Sequence, residues 1–194
     1  KAIDVIRKNK HSSQYDFNDD ERALLKSEFT LVTTMTYFFK EELVKDDMLR
    51  MMFACCNPGI SRENQITLVL KTLCGFSTSE IAKAFLTTED TVSKRLYRTK
   101  EFFRKEKIKL EIPSIDELKA RTNVVLNSIY LLFNEGYSST HAEQLVREDL
   151  IAEAMMLCKL LAENKKTQLP EVYALMALMF FHSARTKSRL TDCG

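Results

Sequence analysis

The sequence has few of the residues that interrupt helices. Its 194 residues include only 4 glycines and 3 prolines, and runs of β-branched residues are few, so we predict a nearly all-α chain. No stretch approaches the roughly 20 uninterrupted apolar residues of a transmembrane helix, and no signal peptide is recognisable. With 45% hydrophobic and 29% charged residues, we expect a cytoplasmic protein with one or two packed domains and no membrane partner.

The residue patterns of catalytic and metal sites are also missing. The histidines, His11, His141 and His182, are scattered, and the sequence has neither a His-x-x-x-His pair nor a glycine-rich phosphate loop. No two of the five cysteines have a Cys-x-x-Cys spacing, and adjacent Cys55 and Cys56 are poor disulfide partners, so we predict reduced, buried thiols. The sequence therefore predicts no metal or other cofactor, and an enzyme is the least supported class of function.

Residues 76–109 contain the most informative pattern that is present. Ser77 and Thr78 form a candidate N-cap pair with Glu80 close behind, which predicts the start of a short helix. The polar run at 87–90 supplies a break and a second helix start. A short helix, a tight turn and a longer helix form the outline of a helix-turn-helix.

The second of these helices has one apolar and one polar face. Its apolar residues recur at the helical period and are Val92, Leu96, Thr99 and Phe103. Facing the other way are Ser93, Lys94, Tyr97, Arg98 and Glu101. The spacing predicts that the apolar set packs inward and leaves the polar set for a partner.

The segment 93–109 is strongly basic. It holds eight lysines and arginines against two glutamates, a net charge of +6, whereas the whole chain carries +2, so the remainder sums to −4. Such a concentration is expected where phosphates are neutralised. A solvated helix end favoured by the macrodipole is the alternative, but the preceding turn favours nucleic-acid binding.

Two segments resemble region 4.2 of the extracytoplasmic-function sigma factors. They are residues 79–86 (SEIAKAFL) and 91–100 (TVSKRLYRTK). The resemblance implies an alternative sigma factor that binds the RNA polymerase core at the β flap and inserts its second helix into the major groove of the promoter −35 element. The DNA-binding residues that it implies are Thr88, Thr91, Ser93, Lys94, Arg95, Tyr97 and Arg98. Of these, Thr91 and Arg95 would contact phosphates.

The turn departs from the family pattern at two positions. Leu86 and Asp90 stand where these sequences commonly carry glycine. Because a residue other than glycine rarely adopts a positive φ, we expect the turn to be wider than usual.

Residues before the helix-turn-helix carry weaker signals. Residues 2–8 (AIDVIRK) resemble the end of sigma region 2, residues 11–22 have linker composition, and 23–39 have a helical pattern that we do not place in the family. The run 46–58 (DDMLRMMFACCNP) resembles the helix that opens region 4, in which Met48, Leu49 and Met52 are candidate polymerase contacts and otherwise core residues. Since the chain opens on lysine, we expect a piece of a longer polypeptide.

The run 111–114 (EIPS) is the clearest boundary, because proline ends one helix and serine can cap the next. We predict that residues 1–22 are the end of region 2 and an acidic linker, that 23–110 form a helix-turn-helix domain similar to sigma region 4, and that 111–194 form a C-terminal helical extension. The last contains three helices with one inward face each. The inward residues are Leu118, Thr122, Val125, Ile129 and Phe133 on the first, Leu150, Ile151, Ala154, Met155, Cys158 and Leu161 on the second, and Val172, Leu175, Met176, Met179 and Phe180 on the third. Within it, 132–137 (LFNEGY) resembles a signature of C-terminal extensions in one sigma subgroup, and we interpret it as a structural corner, with Glu135 exposed or capping and Tyr137 a packing anchor.

Two other functions fit the same residues. One is a helix-turn-helix regulator that never touches polymerase, and the other is an all-helical protein-interaction scaffold whose basic helix is incidental. The C-terminal helices would serve in regulation, either within the chain or through an anti-sigma-type partner.

Overall fold

The structure is a computed structural model that describes residues 47–108, 113–140 and 145–186. These residues form α-helices joined by short connections and contain no strand, which confirms the predicted all-α fold for this part of the chain. The segments 2–8, 11–22 and 23–39 lie outside the described residues. The helices are α1 (Asp47–Cys55), α2 (Arg62–Thr72), α3 (Thr78–Ala84), α4 (Glu89–Lys105), α5 (Ile115–Tyr137), α6 (Glu148–Glu163) and α7 (Pro170–Ala184).

The second helix, α2, has a serine cap at its start and a glycine just after its end. Ser61 is the N-cap of α2, and its side chain accepts a hydrogen bond from the Asn64 backbone N–H at 3.4 Å. Gly75 follows α2 with φ 71°, a conformation that glycine adopts without a steric penalty. Residues on every side of α2 are buried, so this helix forms the centre of the packing around it.

The longest helix, α5, joins the two halves of the described chain. Its start is fixed by Glu117, whose carboxylate accepts hydrogen bonds from the N–H and the hydroxyl of Ser114, each at 2.9 Å. Along its length α5 packs against α1, α2, α6 and α7. From its first turns, Arg121 donates to the carbonyl of Phe53 at 3.1 Å.

One apolar core results from this packing. The buried cluster runs without a break from Leu49 in α1 to Met179 in α7. The domain boundary predicted at 110/111 stays a prediction, although side chains from both sides of it contribute to this core. Within the described residues, no helix is both long enough and apolar enough to cross a lipid bilayer.

The inward faces predicted for α5 and α6 are confirmed, whereas that of α7 is partly wrong. Val172 and Met179 of α7 are buried, but Phe180 is 54% exposed. The reason is that, among the described elements, α7 packs mainly against α5 and α6. Its outer side, with Phe180 and Phe181, therefore faces solvent.

Candidate nucleic-acid interface

The short helix α3 starts with a reciprocal cap. The Ser77 side chain accepts a hydrogen bond from the Glu80 N–H at 3.1 Å, and the Glu80 carboxylate accepts one from the Ser77 N–H at 2.6 Å. Both orphan donors at the helix start are thereby satisfied. The predicted start of α3 is confirmed, with Thr78 as its first helical residue.

The connection between α3 and α4 is tight because Leu86 adopts the conformation usual for glycine. Its φ is 51° and its side chain is 96% exposed. The chain reverses as the Thr87 N–H donates to the Ala82 carbonyl at 2.8 Å. The premise of the expected wider turn is therefore wrong, since Leu86 does adopt a left-handed backbone, at a cost of about 1–2 kcal/mol.

The longer helix α4 is capped by a threonine pair. The Thr88 hydroxyl accepts a hydrogen bond from the Thr91 N–H at 3.2 Å, and the two hydroxyl oxygens lie 2.9 Å apart. Both residues belong to the predicted DNA-binding set. They stand at the helix end where free N–H groups and the macrodipole attract anions.

The two faces predicted for α4 are confirmed. Val92, Leu96 and Thr99 are buried, and Phe103 packs against the core. On the opposite side the exposed residues are Ser93, Lys94, Tyr97 and Arg98, with Glu101 half-buried. Tyr97 keeps 57% of its surface exposed. A polar, largely basic surface is thus anchored by an apolar stripe on the same helix.

Charged neighbours partly neutralise this surface. Lys94 pairs with Asp90 one turn earlier, at 2.6 Å. Glu101 pairs with both Arg104 and Lys105. These pairs are exposed on their basic side, so each is worth at most about 1 kcal/mol and yields readily to a stronger anion.

Arg95, of the predicted DNA-binding residues, packs against the neighbouring helix. It is half-buried, and its guanidinium carbon lies 5.6 Å from the ring centroid of Phe85. Phe85 is the C-cap residue of α3. Arg95 therefore links the two helices as a cation–π contact.

The polymerase contacts predicted on α1 need correction. Leu49 and Met52 are only 1% and 0% exposed, and both belong to the core. Met48 is half-buried and packs against that core. The apolar residues of α1 that recur at the helical period pack into the core, so in this structure Leu49 and Met52 offer no surface to a partner.

Residues from the C-terminal half contact α3, which sequence spacing did not indicate. Arg147 pairs with Glu80 at 3.1 Å, and Lys83 donates to the Thr140 carbonyl at 3.2 Å. The separation along the chain is 67 residues for the first contact and 57 for the second. No local pattern reports a contact between positions so far apart.

The corner after α5 is built by Glu135. It is buried, and its carboxylate accepts hydrogen bonds from the Thr140 N–H at 2.9 Å and the Thr140 hydroxyl at 3.0 Å. The prediction of an exposed Glu135 is wrong, and its carboxylate holds the loop after α5 instead of capping a helix end. Tyr137 stacks on Phe133 at 5.9 Å and meets His182 edge-on at 5.0 Å, which confirms its packing role.

The cysteines of the described part have the environment of structural thiols. Cys55, Cys56, Cys74 and Cys158 are free and buried. Burial raises the pKa of Cys55 to about 12 and that of Cys158 to about 11, and it raises the pKa of Cys56 also. Protonated thiols are poor nucleophiles and metal ligands. Within the part of the chain that the structure describes, no group of three or more His, Cys, Asp or Glu side chains could hold a metal ion.

Comparison with known proteins identifies two similarities. Residues 121–194 match the model of a family described as a family of unknown function (DUF6596). The chain is 36% identical over 150 residues to an uncharacterized protein of Rhizobium meliloti (strain 1021), and the match covers 77% of this chain but 35% of that protein. The chain thus spans about a third of the length of the curated relative that it matches. No solved structure matches it.

Proposed function

We propose that this chain is part of an alternative sigma factor of the extracytoplasmic-function type, and that α4 recognises the promoter −35 element in duplex DNA. The observation that carries the proposal is the division of α4 into two faces. Val92 and Leu96 hold the helix on the core, while Lys94, Tyr97 and Arg98 are exposed on the other side. A helix of this kind fits the width of the major groove.

The exposed side chains suit base recognition. Arg98 carries the planar fork that binds the O6 and N7 acceptors of guanine with two hydrogen bonds, and it lies one turn from Lys94. Tyr97 adds an aromatic ring with a hydroxyl group, and Ser93 a small donor and acceptor. With Thr88 and Thr91 at the helix start, these residues would follow one edge of the groove.

Phosphate contacts would come from the cations around this row. Arg104, Lys105 and Lys107 are exposed at the end of α4 and just beyond it. Each neutralised phosphate releases counterions, so binding should weaken steeply with salt. The acidic side chains of Glu89 and Asp90 oppose this attraction at the helix start, and the Lys94–Asp90 pair reduces that opposition.

Polymerase binding and a cytoplasmic location are further parts of the proposal. They rest on the resemblance of residues 46–58 and 79–100 to sigma region 4. With Leu49 and Met52 in the core, Met48 is the remaining candidate contact on α1. A pull-down with the isolated polymerase β flap would separate a sigma factor from a regulator that acts without polymerase.

The test of DNA recognition uses duplexes with a randomised central segment. Repeated selection by the full chain should enrich one short sequence, and affinity for it should fall linearly on a plot of log K against log salt, with a slope of about −0.9 for each phosphate contacted. Retention without sequence enrichment would reduce the proposal to non-specific binding. Absence of salt-dependent retention would contradict it.

A protein-interaction scaffold is the second candidate, and α7 favours it. Its outer side exposes Phe180, Phe181, Tyr173 and Leu178. Aromatic residues on an exposed helix face are typical of protein-binding surfaces. The two functions are compatible, because α4 and α7 make no substantial contact with each other.

A further inference from the structure

A loop from the C-terminal half of the described chain is attached at two points to α3. The first attachment is the ion pair of Arg147 with Glu80, at 3.1 Å, with side-chain exposures of 20% and 8%. Glu80 also holds the N-cap of α3 through its second carboxylate oxygen, which accepts from the Ser77 N–H. Arg147 therefore binds the acid on which the start of α3 depends.

The second attachment lies further along the same helix. Lys83 donates from its ammonium group to the Thr140 carbonyl at 3.2 Å. Both contacts come from the same connection between α5 and α6, of which residues 138–140 and 145–147 are described. We call these six residues the brace.

The brace is itself held by α5. Glu135 binds Thr140 through the N–H and the hydroxyl, and the Arg147 N–H donates to the Gly136 carbonyl at 2.7 Å. The Ser139 N–H donates to the Leu145 carbonyl at 3.1 Å, which closes the brace on itself. Its two contact groups are thus fixed relative to the core of the C-terminal helices.

The short helix is also held by the core, in which its Ile81 and Ala82 are buried, and the brace adds an attachment to the C-terminal half. With seven residues, α3 is far below the length at which a helix is stable alone, and besides the brace it packs against α2 and α4. Two contacts join α3 to α4. Phe85 lies under Arg95, and the Thr78 hydroxyl donates a hydrogen bond to the Glu89 carboxylate at 3.4 Å.

We propose that Arg147, Lys83 and Glu135 are positioning residues, through which the brace fixes α3 and thereby the direction in which α4 meets DNA. The effect on DNA binding rests on the proposed function, whereas the attachment of α3 rests on the contacts described above. A partner that binds α5 or α6 and shifts the brace would change DNA affinity, and DNA would change the affinity for that partner by the same factor.

The decisive experiment measures backbone hydrogen exchange and DNA affinity on the full 194-residue chain. We expect Arg147→Met to accelerate exchange in α3 by about tenfold or more, because the helix loses its attachment and opens locally. Affinity for a labelled duplex pool of randomised sequence should fall at least about fivefold, the lower end of typical coupling between sites. Arg147→Lys should restore part of both.

A matched control removes another cation from the same half of the chain. Lys159 of α6 pairs with Glu163 at 3.6 Å on the exposed surface, so Lys159→Met should leave both measurements unchanged. Should Arg147→Met fail to fold, Lys83→Met decides, because Lys83 is exposed and its loss leaves no buried charge.

The outcomes separate the inference from the proposed function. Unchanged exchange in α3 in a folded Arg147 or Lys83 variant would refute the brace. Faster exchange with unchanged DNA affinity would show a stabilising contact without a positioning role and would also refute the proposal. If the parent chain does not bind DNA at all, the proposed function fails, while exchange in α3 still tests the attachment.

Discussion

Arg95 lies over the ring of Phe85, with its guanidinium carbon 5.6 Å from the ring centroid. One residue ends α3 and the other stands in the second turn of α4. The contact therefore spans the turn that Leu86 forms with its left-handed backbone. An arginine that the sequence offers for phosphate binding thus also links two helices.

Replacing Arg95 with lysine should separate these two roles. Lysine keeps the charge but lacks the planar group that stacks on an aromatic ring, so we expect a loss of about 0.5–1 kcal/mol in the free energy of unfolding. DNA affinity should fall for all sequences alike. Urea denaturation and binding to two different duplexes measure both effects, and a change in base preference would speak against a phosphate contact.

Arg98→Ala should relax sequence specificity. If Arg98 binds guanine with two hydrogen bonds, its loss removes about 1–3 kcal/mol of discrimination at one base pair. The measurement is affinity for the selected duplex and for its single-base variants.

Lys105→Ala is the comparison for Arg98→Ala, since it removes a cation of α4 that we assign to phosphate. It should weaken binding to every duplex and lower the magnitude of the salt slope by about one. If neither substitution alters DNA affinity, the assignment of the site on α4 is wrong.

Leu86→Gly should stabilise the protein slightly. Glycine removes a left-handed penalty of about 1–2 kcal/mol but adds back about 0.5–1 kcal/mol of backbone entropy. The net gain in the free energy of unfolding is then about 0–1.5 kcal/mol. Leu145 is the control, because it is also exposed but does not have a positive φ, and Leu145→Gly should give no gain.

Gly136→Ala should destabilise the protein by about 1–3 kcal/mol. A Cβ at this position would lie 2.9 Å from the Ile151 backbone nitrogen and 3.0 Å from the Arg147 carbonyl oxygen, so α5 and the start of α6 would have to separate. Gly59 offers a comparison: there the nearest atoms, at 3.0 Å, belong to the side chains of Asn57 and Phe102, which can rotate away. Equal losses from both substitutions in urea would contradict this interpretation.

The buried thiols should not react with a disulfide reagent in the native protein. With pKa values of about 12 for Cys55 and 11 for Cys158, neither forms a thiolate near neutral pH, so a disulfide reagent should label them only after unfolding. A Cys193→Ser background removes the cysteine outside the described residues. Rapid labelling of native Cys55 or Cys158 would show that the core opens there.

The same pKa values predict a loss of stability in alkali. The unfolded thiols release protons near the ordinary value of 9.0, whereas the folded ones keep theirs up to about 11 and 12. Their contribution to the free energy of unfolding is complete below pH 9. It is lost as the pH rises above 9, because the unfolded state then binds fewer protons than the folded state. Cys158→Ala should make the unfolding free energy fall less steeply over that range.

Local features of the fold were readable from the sequence. The sequence predicts the caps at Ser77 and Ser114 because each hydrogen bond spans only three residues. The faces of α4 followed from the helical period for the same reason. The mistakes concern burial: the period places Leu49, Met52 and Phe180 on apolar stripes but does not say which stripe another helix covers.

By itself the sequence determined the helical class of the described chain, the starts of α3, α4 and α5, and the apolar and basic sides of α4, since these depend on neighbours within one or two turns. Only the tertiary structure decided that Arg147 binds Glu80 and that Glu135 shapes the connection reaching α3. It also decided that Leu86 adopts a left-handed backbone to keep the turn tight. Contacts between distant positions depend on how helices pack, and packing energy is shared among many residues with no fixed spacing along the chain.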